Sequence, residues 1–568
     1  MWLPKEVCKL TGLRLLDLST CFRLTEIPPN FIASLTQLEE LYLYSHSIRW
    51  EVQGGSNASL DELKCLPHLT VLEIKIPNTS VLSKGLFSNT LERYNIKIGH
   101  RSLNYEFRKK WPTTTRKLEL NLGNNCSCFE DVLHKTPSVK NVLSALDRGE
   151  GFPKLKQLWV HDSSCFHTVA DCSELESYHP FPSLETLFLE ELNNLEKIYN
   201  GQFGAEFLCQ LRNIKVEKCD KLKNIFSFST IRALPLEEIE VGDCANVTEI
   251  FAIGKEEDII HLKELRSMTL EGLSRLISFC SINNNEAILE DTPTATFNGK
   301  VVFPSLEIIE ISHMNDLEMI WQNQLAEDSL RSLKSIKVIE CNKLWTIFKF
   351  NILERFTRLE SLFVDSCNSL EEIFDLQEEN LEKWSQSSQL RELDLYNLQK
   401  MRHIWNKDPQ RKLSFQKLNK VRIENCWSLE NIFPASIARN LSQLEQLYLY
   451  GCGAMKKIVA EEEGADLAAV TRFDFPRLTS LKLIDLYQLR YFYPGRHTAE
   501  WPALNKLSIR DCRELGLLAS EENNEGQSNT LMQRPLFFVE RVQNLHFLFH
   551  LSFLCHAYYK VIESVNQI

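Results

Sequence analysis

Cysteine recurs in this sequence in a setting where a thiol could do chemistry. In LEEIEVGDCANVTEIF, residues 236–251, Cys244 stands between an apolar alternation and two more apolar anchors. Such a thiol could serve as a redox centre, a metal ligand or a packing group. The densest donor cluster is HDSSCFHTVADCSELESYH, with His161, Cys165, His167, Cys172 and His179. Thiolate and imidazole suit tetrahedral zinc. Cys165, however, falls two residues beyond the place that Cys244 occupies in its own stretch, which puts it in a loop. Cys126 and Cys128 are a weaker pair. No H-E-x-x-H, G-x-S-x-G or C-x-x-C occurs, and the phosphate-cradling G-x-x-x-x-G-K-[ST] is absent, since Gly254-Lys255 precedes Glu256 and Gly299-Lys300 precedes Val301. The expectation is a chain with no catalytic set, no cofactor and no metal.

The elements around Cys244 decide between the thiol's roles, because they are written many times. LRNIKVEKCDKLKNIF (from 211), LKSIKVIECNKLWTIF (333), LESLFVDSCNSLEEIF (359) and LNKVRIENCWSLENIF (418) repeat the pattern. So do LRLLDLSTCFRLTEIP (13), LEQLYLYGCGAMKKIV (444) and LNKLSIRDCRELGLLA (504). The frame is L-x-x-L-x-L-x-x-C-x-x-L-x-x-I, and from Leu184 to Leu504 it recurs at intervals mostly of 25 to 31 residues. That period specifies a solenoid of leucine-rich repeats. Leu192, Leu273, Met314, Leu398 and Leu486 stand where other copies carry Cys.

The alternation of Leu236, Ile239 and Val241 predicts a short strand with one face inward. Stacked copies then make a parallel sheet on a concave surface. Val247, Ile250 and Phe251 close the coil beneath it. The fold expected is an α/β-type solenoid, a leucine-rich repeat horseshoe with mostly irregular or short helical convex segments. At the turn such repeats usually carry Asn; a thiol there is small, tolerates burial and donates weakly. Cys21, Cys219, Cys244, Cys341, Cys367, Cys426, Cys452 and Cys512 are therefore expected to be structural.

Residues 1–150 hold rungs at 13, 38 and 69 and degenerate ones near 91 and 115. Residues 151–519 hold regular repeats interrupted by a polar, exposed loop at about 280–302, and residues 520–568 form a polar linker and an apolar tail that fits no repeat. The opening WLP resembles the last anchor of a preceding coil, so an upstream domain is expected, and the tail suggests a truncated or altered reading frame, with a capping helix as the alternative.

With 64 basic and 76 acidic residues and a net charge of −12, the chain lacks the basic surface of a general nucleic-acid binder. The longest apolar run, 545–559, is too short for an easy membrane span. Seventeen scattered cysteines without an export signal point to reduced thiols in the cytoplasm. The acidic runs around Glu461–Glu463 and Glu521–Glu525 read as solvated loops. What remains for function is the outward side of the sheet. There Phe363, Tyr396, Arg422, Tyr448, Tyr450, Lys482 and Arg510 are the candidate contacts to a partner, because exposed Tyr and Arg are common binding anchors.

LPKEVCKLTGLRLLDLSTCFRLTEIPPNFIASLTQLEELYL, IRWEVQGGSNASLDELKCLPHLTVLEI and the C-x-x-L-x-x-I-F rungs that follow resemble the leucine-rich repeat region of plant intracellular disease-resistance proteins of the coiled-coil, nucleotide-binding class, over about residues 3–520. The resemblance implies a module that senses a pathogen effector or a host protein and restrains a nucleotide-binding switch, with residues 1–110 beside the switch and later rungs carrying recognition. The coiled coil and nucleotide-binding domain of that class are absent from these residues. A leucine-rich repeat substrate adaptor for ubiquitination stays open as an alternative.

Overall fold

The computed structural model describes residues 2–515 apart from 44–47, 52–54, 78–80, 83–85, 88–89, 100–115, 124–153, 165, 172–181, 201–207, 233, 253–258, 281–294, 323–324, 377–385, 410–412 and 462–469, together with 518–519 and 537–538. The chain divides into two units, Met1–Glu286 and Ala287–Ile568. Each is a solenoid of parallel strands, one strand per repeat in its main sheet.

In the first unit the strands are β1 (Leu15–Asp17), β2 (Glu40–Leu43), β3 (Val71–Ile76), β4 (Arg93–Gly99), β5 (Arg116–Gly123), β6 (Gln157–Ser163), β7 (Thr186–Glu190), β8 (Asn213–Glu217), β9 (Glu238–Gly242) and β10 (Ser267–Glu271). Each pairs in parallel with the next. In the second they are β11 (Ile308–Ser312), β12 (Ser335–Ile339), β13 (Ser361–Asp365), β14 (Glu392–Tyr396), β15 (Lys420–Glu424), β16 (Gln446–Tyr450), β17 (Ser480–Ile484) and β18 (Lys506–Arg510), again paired in sequence order. The repeat leucines are the inward residues: Leu236, Ile239 and Val241 are each 1% exposed. The degenerate rungs near 91 and 115 form β4 and β5, among the longest strands of their unit. Tyr94, Ile96 and Ile98 supply the inward face of β4, and Leu118 and Leu120 that of β5.

A left-handed residue follows the strand in rung after rung. Lys218, Asp243, Glu340, Ser366, Asn397 and Asn425 have φ between 49° and 56°, and Gly272 and Gly451 fill the same place at 60° and 66°. This kink aims the N–H at the strand-end carbonyl of the next rung, as in Lys218 to Gly242 (3.0 Å) and Asn425 to Tyr450 (2.8 Å). A left-handed non-glycine residue is uncommon and most tolerable for Asn and Asp. The turn cysteine comes next. Its thiol donates back to the last strand carbonyl of its own rung, Cys244 to Gly242 at 3.2 Å, Cys341 to Ile339 at 3.5 Å and Cys426 to Glu424 at 3.6 Å.

On the opposite side of the coil the Ile-aromatic anchors form a second set of short parallel pairs. Phe226–Ser227 pairs with Phe251–Ala252, and Thr346–Lys349 with Glu372–Asp375, which pairs in turn with His403–Trp405. Helix is confined there to single turns such as Phe350–Leu353 and Ala435–Ala438. Ladder strands thus occupy much of what the sequence suggested would be irregular, because alternating Ile and aromatic residues suit a pleated, buried surface. In the second unit this side carries a run of rings: Phe348 to Phe374 at 5.3 Å, Phe374 to Trp405 at 5.6 Å and Trp405 to Phe433 at 6.0 Å. Such ring pairs each contribute about 0.5–1.5 kcal/mol beyond area burial.

The exposed loop expected over 280–302 needs correction at its end. Ala295–Phe297 is a strand paired with Met319–Trp321. Thr296, Phe297 and Asn298 are buried, with the Phe297 ring 5.0 Å from Trp321 and 5.5 Å from Phe303. The single ring outweighs its polar neighbours. Residues 281–294 and most of the tail lie outside the described residues, although the backbone of Phe537–Phe538 pairs in parallel with Leu518–Ala519.

Candidate functional site

The strand residues that face away from the coil interior form three rows across each sheet. In the second unit the central row runs Glu310, Lys337, Phe363, Asp394, Arg422, Tyr448, Lys482, Ser508. Two residues further along each strand run Asp365, Tyr396, Glu424, Tyr450, Ile484 and Arg510. All seven candidate contacts therefore share one face, on six neighbouring strands. Period-2 alternation accounts for this, since each is one position from an inward repeat residue, buried in every case but Ile509 beside Arg510, which is half-buried.

Their side chains touch in series. The Phe363 and Tyr396 rings lie 5.3 Å apart, and Arg422 Nη1 donates to Tyr396 Oη at 3.2 Å. Arg422 and Lys482 approach the Tyr448 ring from both sides, at 5.7 and 5.4 Å from its centroid. Each such contact contributes about 0.5–1 kcal/mol at a half-exposed site and holds the ring upright. The hydrogen bond to Tyr396 raises Arg422 above its ordinary value, and burial raises Tyr448. Three residues that the sequence search passed over belong to the same face: Lys420, which pairs with Glu392 at 3.6 Å and Asp394 at 3.3 Å, then Lys506 and Gln446. The signal was present, because Lys420 precedes Arg422 by two residues on one strand.

The corresponding face of the first unit is closed by its own charges. Glu119 lies 3.1 Å from Lys97 Nζ, 3.0 Å from Lys117 Nζ and 3.4 Å from His161 Nε2. Lys117 Nζ sits 3.3 Å from the centroid of Trp159, and Trp159 packs 5.0 Å from Phe188. Further along, Lys215 meets Glu217 at 3.1 Å and Glu240 at 3.4 Å. Burial by itself would raise the Glu119 carboxyl, but His161, Lys117 and Lys97 together outweigh it and hold the group well below the usual range. Burial lowers Lys117. Side-chain exposure along this network is 7 to 26%, whereas Arg422 is 42% and Arg510 53% exposed. Glu240, which the sequence placed outward, is 9% exposed.

The turn cysteines lie apart from this face. Cys219, Cys244, Cys341, Cys367, Cys426 and Cys452 are buried, while Cys21 and Cys512 are half-buried, a departure from the uniform burial expected. The terminal rungs have fewer covering neighbours. Burial raises Cys426, Cys452 to about 12 and Cys512 to about 11, and the neighbouring Cys341 thiol together with burial raises Cys367. Protonated thiols of this kind are poor nucleophiles and poor metal ligands. Among the described residues no three His, Cys, Asp or Glu side chains gather as a metal site. His161 is held by Asn121 at 3.1 Å and by Glu119, and Cys165, Cys172, His179, Cys126 and Cys128 lie outside the described residues. No described helix is long and apolar enough to cross a membrane.

Comparison with known proteins places this surface in context. Residues 124–245 and 305–453 match the family model of plant disease resistance protein RPS2-like leucine-rich repeats. A disease resistance protein of Arabidopsis thaliana is 25% identical over 349 residues, covering 56% of this chain and 32% of its own length. A probable disease resistance protein of the same plant is 28% identical over 321 residues, covering 50% and 31%. The chain thus spans about a third of the length of these relatives. Among solved structures, the leucine-rich repeat ectodomain of an Arabidopsis thaliana membrane receptor kinase aligns over 91% of this chain and 72% of its own, with 11% identity and a TM-score of 0.25.

Proposed function

We propose that this chain, whose residues 124–245 and 305–453 match plant disease resistance leucine-rich repeats, is the recognition and autoinhibition module of a cytoplasmic plant immune receptor. Its partner on the second unit's sheet face is a pathogen effector or a host protein that such an effector alters. The first unit's rungs contact the nucleotide-binding domain of a fuller receptor. The observation that carries recognition is the continuous series of half-exposed Phe363, Tyr396, Arg422 and Tyr448 with exposed Lys482. Aromatic and arginine side chains on a rigid element lose little entropy on binding and dominate interface energies. Autoinhibition requires that the partner distinguish two states of the receptor, so its binding must favour the released one.

The test is affinity capture from plant tissue challenged with a pathogen, with the chain carrying Tyr448→Ala and Tyr450→Ala compared with the wild type. Partner capture is expected to fall at least about tenfold, because two anchors of about 1 to 2 kcal/mol each are removed. Thermal unfolding should move little, since both rings lie on the outward face. Equal capture by the double variant overturns the assignment.

A further inference from the structure

The charges on the second unit's sheet face are segregated, although the chain as a whole carries −12. On the outward positions of β15 to β18 stand Lys420, Arg422, Lys482, Lys506 and Arg510 against the single carboxylate Glu424. The two preceding strands present Asp365, Glu392 and Asp394 and no cation. Lys420 is engaged across that boundary, with Asp394 and Glu392. Arg422 meets Glu424 only at 4.0 Å, and Arg510 meets Asp511 at 3.9 Å. Lys482 and Lys506 are exposed and have no carboxylate within ion-pair distance among the described residues. Tyr448 and Tyr450 stand among these cations, and Lys482 lies 5.4 Å from the Tyr448 centroid.

We propose that this patch binds a short acidic segment of a partner protein, its carboxylates meeting Lys482, Lys506 and Arg510 and its apolar neighbours resting on Tyr448 and Tyr450. The inference rests on the reading of this face as the recognition surface and adds the chemistry of what it takes. Size limits the ligand. Four strands at about 4.8 Å spacing span about 14 Å, the reach of roughly four extended residues. A longer polyanion such as a nucleic-acid backbone would run onto Asp365, Glu392 and Asp394, where like charges repel it. Unpaired cations on the open part of the face also attract an acidic partner at a distance, which raises the rate of encounter more than the final affinity.

Fluorescence anisotropy with the full chain tests the assignment. The probes are a fluorescein-labelled tetraglutamate peptide, its tetraglutamine twin and an oligothymidylate of about twenty residues. Tetraglutamate is expected to bind at least about tenfold more tightly than tetraglutamine and to weaken as salt rises from about 50 to about 200 mM. The triple variant Lys482→Glu, Lys506→Glu and Arg510→Glu should lose that preference while keeping the wild-type unfolding temperature. Equal binding of the two peptides, or an unchanged preference in the triple variant, overturns the proposal. Tighter binding of the oligothymidylate overturns the peptide assignment. If the acidic preference fails while extract capture still depends on Tyr448 and Tyr450, the ligand chemistry is wrong and the recognition surface stands. If capture is also independent of the tyrosines, the surface itself is wrong.

Discussion

Replacing Cys426 by alanine tests whether the recurring thiol is a structural part. The side chain is fully buried and its thiol donates to the Glu424 carbonyl at 3.6 Å. Removing one sulfur forfeits transfer energy comparable to a methylene, about 0.8 kcal/mol. A void of roughly 25 Å³, at about 24 cal/mol per Å³, adds about 0.6 kcal/mol. A weak hydrogen bond adds a few tenths, for a total of about 1.5–2 kcal/mol. For a unit of this size that lowers the unfolding midpoint by roughly 3–7 °C. Cys512→Ala, at a half-buried terminal rung, should cost less than half as much. Calorimetry of both variants gives the comparison, and iodoacetamide mapping by mass spectrometry supplies a second readout. In the folded wild-type chain Cys65, which is exposed, should alkylate readily, whereas Cys426 should stay unmodified until urea opens the coil. If Cys426→Ala is no more costly than Cys512→Ala, or if Cys426 alkylates as fast as Cys65, the packing argument is refuted.

Two further perturbations read the charges. Glu119→Gln leaves Lys97, Lys117 and His161 without their shared carboxylate and should cost about 3 kcal/mol near neutral pH, measured by urea unfolding. Because the Glu119 carboxyl is held below its usual range, its contribution is complete above that range and is lost as pH falls below it toward the depressed folded value. The gap between wild type and variant should therefore narrow at low pH, and a constant gap contradicts the network. Glu372 has the opposite sign: burial and Asp375 raise it to about 7 from an ordinary 4.5. The folded chain binds that proton more tightly than the unfolded one, so stability is greatest below the ordinary value and falls as pH rises through about 7. Glu372→Gln should raise the unfolding free energy at pH about 8 by about 1 kcal/mol, after allowing for solvent screening at this half-buried site. At pH about 4 it should change little, and stabilisation of equal size at both values would remove the titration as its cause.

The repeat frame exposed the strands because each buries the same alternate residues, and it exposed the turn cysteines because their spacing from the strand never varies. It also contained a signal that went unread. Before four of the turn cysteines stand Asp243, Asn425, Gly451 and Asp511, the types that best tolerate the left-handed conformation all four adopt, while Lys218, Glu340 and Ser366 adopt it before three others. The closed state of the first unit's face was of another kind. Glu119 meets Lys97 and His161 across rungs 22 and 42 residues away, and no local pattern marks such partners, since any charged outward residue looks equally available in sequence. The rung near 91 looked degenerate for the converse reason: Tyr94, Ile96 and Ile98 keep the inward geometry of β4 without the expected leucines.

This distinction decides where recognition can occur on an array whose rungs share one backbone. Outward side chains that have paired with the neighbouring rung must give up those contacts before they bind anything else, and in a partly buried network that cost approaches what a new partner returns. Glu119 and Lys215 are in that position. Lys482 and Lys506 are not, because their cross-rung neighbours are Ser508 and Ser480 and, for Lys482, the Tyr448 ring, whose contact with Arg422 survives binding. A charge-reversed partner peptide, tetralysine in place of tetraglutamate, should consequently find no compensating site on β5 to β9 despite Glu119, Glu190, Glu217 and Glu240. Detectable tetralysine binding that Glu240→Gln abolishes would show that the first unit's network opens more easily than its short contacts imply.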